Sequence, residues 1–185
     1  MATDSPPPVP GDIVAFWREA GPRAWFSKDP AFDEAIRVRF QEAHFAAARG
    51  EMSAWEETAE GALALLLLLD QFPRNLFRGG AHAFATDPLA RRIAAHAVAN
   101  GFDHTTPAEL RYFFYLPFEH SEDAGDQALS LELYEAHGDP ELTKWARLHA
   151  DIIARFGRFP HRNSCLGRES MPAELAFLAE GGFAG

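Results

Sequence analysis

The residues with chemical potential fall in three short stretches of a 185-residue chain. The first reads Phe118-Glu119-His120-Ser121-Glu122-Asp123. An imidazole beside a carboxylate is the usual material of proton transfer near neutral pH, so His120 is a candidate acid or base with Glu122 to orient it. No second histidine stands three or four residues away, so no metal and no cofactor is expected there. The second and third stretches echo one another. Residues 70–79 read Asp-Gln-Phe-Pro-Arg-Asn-Leu-Phe-Arg-Gly, and residues 157–168 read Gly-Arg-Phe-Pro-His-Arg-Asn-Ser-Cys-Leu-Gly-Arg. Two such loops around one anion would supply Arg74, Arg78, Arg158, Arg162 and Arg168 as bidentate donors. Asp70, Asn75 and Asn163 would orient the bound group, and His161 would be a second catalytic candidate. The competing reading is a repeated helix stop, in which each arginine clamps carbonyls left open by proline. His149 falls on an apolar helical stripe with Leu142, Trp145, Ile152 and Phe156. There it is either a hydrogen-bonded core histidine or a buried, tuned ligand-binding group. Cys165 lies inside the second loop, as a packing residue or as a thiol activated by arginine.

Helices must position these residues. Asp12, Asp29-Pro30, Asp87-Pro88, Thr106-Pro107 and Asp139-Pro140 read as helix starts, with a capping side chain and proline in the first turn. Gly50, Gly101, Gly138 and Gly157 read as stops. Ser53-Ala-Trp-Glu56 has the form of a capping box opening one long helix through the leucine run to Phe72, closed by Pro73. Ser121 would cap the helix ending at His137. No stretch shows the β-branched alternation of a strand. The expected fold is all-α, an antiparallel helix-pair bundle of about seven or eight helices. Its most buried helix should be Leu63–Leu69, apolar all round. Residues 1–10, with four prolines, are expected to form a disordered arm, and residues 11–185 a single helical domain.

Composition narrows the function. The net charge is −10 and no tract is rich in Lys or Arg, which argues against nucleic acid. The longest apolar run is too short to span a membrane, and the N-terminus lacks a signal-peptide pattern. One cysteine fits the reducing cytoplasm. The bases are 15 Arg and 2 Lys. Between Glu119 and Glu141 there are eight acids and no base, whereas Thr143 to Arg168 holds six bases and one acid. Ion pairs across a helical hairpin are therefore expected.

The ordered motifs Leu67–Asn75, Phe114–Glu122 and Phe156–Arg168 resemble those of the bacterial domain-of-unknown-function family 924, over nearly the whole chain beyond the proline arm. The resemblance implies an all-helical fold similar to tetratricopeptide-like helix pairs, and it implies no activity. Phe118 and Glu119 fill positions expected to be apolar in that pattern, which favours His120 and Glu122 over Glu119. The sequence thus points to a helical domain binding a small phosphate or carboxylate compound in a His/Arg/Asn/Glu pocket, with or without a reaction. The alternative is a tetratricopeptide-like module that binds a peptide or protein partner.

Overall fold

The structure, a computed structural model, describes residues 7–185. The first six positions of the proline-rich arm lie outside the described residues. The described residues form helices and turns and no strand. They divide into two compact units, the described part of Met1–Arg78 with His82–Pro117, and Gly79–Ala81 with Phe118–Gly185.

In the first unit α1 (Pro10–Ala20) starts earlier than Asp12 implied. Pro10 is its first residue, and Asp12 Oδ2 accepts from the Val9 N–H at 3.0 Å. The acid serves the helix start from one turn inside it, so the last arm proline is already helical. The short turn α2 (Pro22–Trp25) follows. In α3 (Pro30–Ala48) Asp29 caps as expected, accepting from Ala31 N at 2.8 Å.

The single long helix expected from Ser53 to Phe72 is instead broken twice. Ser53–Glu57 is a 3-10 turn, and Thr58 caps α4 (Ala59–Leu66) by accepting from Gly61 N at 3.1 Å. A π-turn over Leu67–Gln71 then leads into α5 (Phe72–Leu76), so Pro73 lies within helical winding and does not end it. The leucine block is buried, as its all-round apolarity predicts. Beside it pack Trp17, Phe40, Phe72 and Phe113, with the Trp17 ring 5.6 Å from both Phe72 and Phe113. The unit continues through α6 (Asp87–Ala99) and the one-turn helices α7 (Phe102–Thr105) and α8 (Ala108–Arg111).

Helix α9 (Leu116–Glu119) carries the chain into the second unit, so Pro117 again sits inside a turn. The second unit is built on the hairpin of α10 (Ala124–His137) and α11 (Pro140–Phe156). Asp123, not Ser121, caps α10, accepting from Gly125 N and Asp126 N. Ser121 Oγ is turned to Asp126 at 2.6 Å. Gly138 and Gly157 close the two helices in the left-handed region at φ 83° and 69°, where only glycine is unstrained. Ile152, Ile153 and Phe159 form a core to which Phe156, Phe177 and Phe183 add. Trp145 departs from the expected stripe and is 49% exposed. Helix α12 (Pro172–Ala179) completes the unit. No helix among the described residues is long and apolar enough to cross a membrane.

Candidate functional site

The first Phe-Pro loop is organised by carbonyls that the helix backbone leaves open. In the π-turn Phe72 N–H reaches back to Leu67 O. Leu68 O thereby loses its donor, and Leu69 O faces Pro73, which has none. Two side chains replace them. His44 Nδ1 donates to Leu68 O at 2.8 Å, and Thr86 Oγ1 donates to Leu69 O at 2.6 Å. Arg74 donates to the next carbonyl, Asp70 O, and pairs with both oxygens of Asp87 at 3.0 Å. Its guanidinium also lies 3.3 Å from the buried Asp70 carboxylate, whose other oxygen accepts from Gln71. Burial works against the charge on Arg74, but Asp70 and Asp87 outweigh it and raise its pKa.

Asn75 and Arg78 converge on Asp33 of α3. Asn75 Nδ2 donates at 2.7 Å, and Arg78 donates through Nε at 2.6 Å and Nη2 at 2.9 Å. Burial alone would raise the Asp33 pKa, yet these hydrogen bonds hold it below its ordinary value. An open groove of about 320 Å³, lined by Asp33, Glu34, Arg37, Asn75, Phe77 and Arg78, runs alongside.

The second loop follows the same logic within the second unit. Arg168 forms a bidentate pair with Glu122 at 2.7 and 2.9 Å, and the Phe159 N–H donates to Glu122 at 2.8 Å. Burial would raise Glu122, but these donors lower it. Arg158 grips Glu174 of α12 at 2.6 and 2.8 Å. Asn163 Nδ2 adds a bond to Glu174 at 3.1 Å, and the Met171 N–H another at 2.7 Å. The Arg158 contact is the main reason that Glu174 falls to about 2. Cys165 Sγ donates to Arg162 O at 3.2 Å.

A different kind of cluster surrounds His149. Its Nδ1 lies 2.9 Å from Trp145 O and 3.1 Å from Glu119 Oε1. Both neighbours are acceptors, so the ring proton belongs on Nδ1 and the neutral ring keeps its lone pair on Nε2. His149 and Glu119 are only 6% and 4% exposed. Burial pushes the His149 pKa well below its ordinary 6.5, and His120, Arg162 and His161 push it further down. The hydrogen bond to the Trp145 carbonyl opposes that shift without reversing it. His120 lies 6.4 Å from His149 between ring centres. The Phe159 ring has His149 at 5.5 Å, His161 at 5.7 Å and the buried Arg162 guanidinium over its face at 4.5 Å. Phe183 packs on both His149 and His161, at 4.6 and 5.2 Å. Gln127 of α10 pins the segment by donating to the carbonyls of Glu119 and Ser121, both at 2.7 Å.

The structure thus gathers His120, His149, His161 and Arg162 in the second unit. It sets Glu122 with Arg168, and Arg158 with Asn163 and Glu174. In the first unit it sets Asp70 with Arg74, and Asn75 with Arg78. Sequence reasoning set Glu119 aside, yet Glu119 is the carboxylate at His149. It also passed over His44, Thr86, Asp33, Gln127 and Glu174. Asp33 and Glu174 carried a local signal, each as the acidic residue in the first turn of a helix opened by proline, Pro30 and Pro172.

These features define an all-helical protein with two arginine–carboxylate loop clamps and one buried histidine–glutamate pair. The chain belongs to the family described as Bacterial protein of unknown function (DUF924), which matches residues 13–182. A solved structure of a protein of unknown function from Agrobacterium tumefaciens is 53% identical, covers 93% of this chain and 97% of its own, and superposes with a TM-score of 0.90. No curated protein matches the chain.

Proposed function

We propose that the protein binds a small anion, a phosphate or carboxylate compound, at the histidine–arginine cluster of the second unit. One observation carries this reading. Arg162, His149 and His161 pack about a single ring, Phe159, and His120 faces His149. Four side chains able to bear positive charge so close together suit an anionic occupant. Arg74, Arg78, Arg158 and Arg168 are engaged by carboxylates, which supports a clamping role for them. If the bound compound reacts, His149 is the base and Glu119 holds its ring and steadies its positive form. A single thiol supports a reducing compartment, hence the cytoplasm. The test is thermal stabilisation by a panel of phosphates and carboxylates. We expect some of them to raise the Tm of the native protein and to lose that effect in Arg162→Ala. No shift from any anion would refute the reading.

A tetratricopeptide-like partner surface is the second reading, favoured by Trp145, which stands exposed on α11 of the helical hairpin. It predicts that Trp145→Ala abolishes partner capture while leaving anion binding intact.

A further inference from the structure

The open groove of the first unit brings both signs of charge against an apolar wall. Its volume of about 320 Å³ is at the small end of ligand pockets, which run from roughly 300 to 1,000 Å³. One side is a single stripe of α3, with Asp33 and Glu34 one turn before Arg37. The other is the end of α5 and the two residues after it. There Leu76 and the half-buried Phe77 supply apolar surface, and Arg78 supplies a second cation.

These side chains differ in how far the protein already uses them. Asp33 is spent on Asn75 and Arg78. The Arg78 guanidinium is fixed through Nε and Nη2, by Asp33 and the Ser27 carbonyl, and its Nη1 has no hydrogen-bond partner among the described residues. Arg37 is fixed by donating from Nη2 to Leu76 O at 2.9 Å and from Nη1 to Gln41 at 3.1 Å. Glu34 has Arg37 Nε at 3.4 Å, longer than a charge-assisted hydrogen bond, and its side chain is 64% exposed. The groove thus offers two guanidinium groups already held in position and one carboxylate with capacity to spare. A simple anion would face Glu34, and a simple cation would face both arginines. A ligand that carries both charges satisfies both. Glu34 and Arg37 stand side by side, and an α-amino acid bears its ammonium and carboxylate on one carbon. Each ligand charge therefore finds its opposite on a neighbouring side chain.

We propose that this groove binds a free α-amino acid with an apolar side chain. The ammonium group goes to Glu34, the carboxylate to Arg37 and the open edge of Arg78, and the side chain to Phe77 and Leu76. The site lies within the first unit and stands independently of the anion-binding reading of the second.

The experiment is a titration of the full chain, followed through the backbone N–H signals of Arg37, Phe77 and Arg78 in amide proton–nitrogen correlation spectra. The probes are L-leucine, N-acetyl-L-leucine, L-leucinamide and glycine, each to about 20 mM. The charged groups keep part of their surface in water, so the expected Kd for leucine is on the order of 1 mM. Loss of the ammonium in N-acetyl-leucine, or of the carboxylate in leucinamide, should weaken binding about fivefold. Glycine should also bind more weakly, for want of apolar contact. Glu34→Gln, at an exposed position outside the clamps, should weaken leucine and no longer distinguish it from N-acetyl-leucine. Equal binding of those two by the native protein overturns the ammonium contact and with it the choice of ligand. Equal binding of leucine and leucinamide overturns the carboxylate contact, and equal binding of leucine and glycine overturns the apolar one. No saturable shift of the groove signals with any probe overturns the site, whatever the phosphate and carboxylate panel shows for the second unit.

Discussion

Arg168 and Arg162 are six residues apart and do different work, which single substitutions separate. Arg168→Ala leaves Glu122 with the Phe159 N–H as its remaining strong donor. The two side chains keep 23% and 28% of their surface in water, so the loss belongs at the lower end of about 1–3 kcal/mol. Urea unfolding would read it as a lower midpoint, with anion binding retained. Glu174 offers a pH-resolved test. Its folded pKa is depressed from 4.5 to about 2, so its contribution is fully present above 4.5 and is lost as pH falls towards 2. Glu174→Gln should lower the Tm at neutral pH and flatten its decline over that acid window, and an unchanged decline would contradict the assignment. The sequence made the arginines and histidines visible because they stand in repeated motifs. It hid their carboxylate partners, because Asp33 and Glu174 come from elements 45 and 16 residues away from the arginines they bind. Glu119 was discounted because a local pattern cannot show that α9 ends against α11.

At the scale of elements, helix boundaries written in local chemistry were legible. The Asp29 and Asp139 starts and the Gly101, Gly138 and Gly157 stops appear where side chain and φ requirements put them, whereas Asp87 is the first residue of α6 after Thr86 and pairs with Arg74 where a capping role was expected. What was not legible was winding. Nothing in a run of leucines distinguishes a π-turn from an α-turn, since the difference lies in distant donors. His44 and Thr86 are those donors, and the arrangement predicts a rescue. Thr86→Val removes the donor to Leu69 O and should cost about 1–3 kcal/mol, because it strands a buried carbonyl. Pro73→Ala restores an N–H four residues beyond Leu69. The double variant Thr86→Val with Pro73→Ala should therefore be more stable than Thr86→Val alone, and additive losses in thermal unfolding would reject the account. The break at Thr58 has a steric counterpart. A Cβ on Gly61 would fall 2.2 Å from Trp55 O, so Gly61→Ala should destabilise the protein although Ala is the better helix former.

For the molecule as a whole, two sets of titrating groups act in the same direction. His44 and His149 sit buried with pKa values below 6.5, so below that pH the unfolded chain takes up protons first and stability falls. Asp33, Glu56 and Glu122 are held below their ordinary values, so a second loss follows as pH drops through the carboxylate range. Thermal melts across pH should show a decline in two stages, the first beginning near 6.5. An invariant Tm down to the carboxylate range would exclude the histidine stage. The π-turn has its own reach, as a matter of reading frame within a helix. It holds one residue more than regular winding would need, and each residue turns a helix by about 100°. Deleting one leucine from Leu67–Leu69 would let the helix wind regularly between the same flanking residues, whereas adding one to regular winding would turn Arg74, Asn75 and Arg78 by about 100° away from Asp87 and Asp33. The leucine run should therefore accept the loss of one residue more readily than the gain of one.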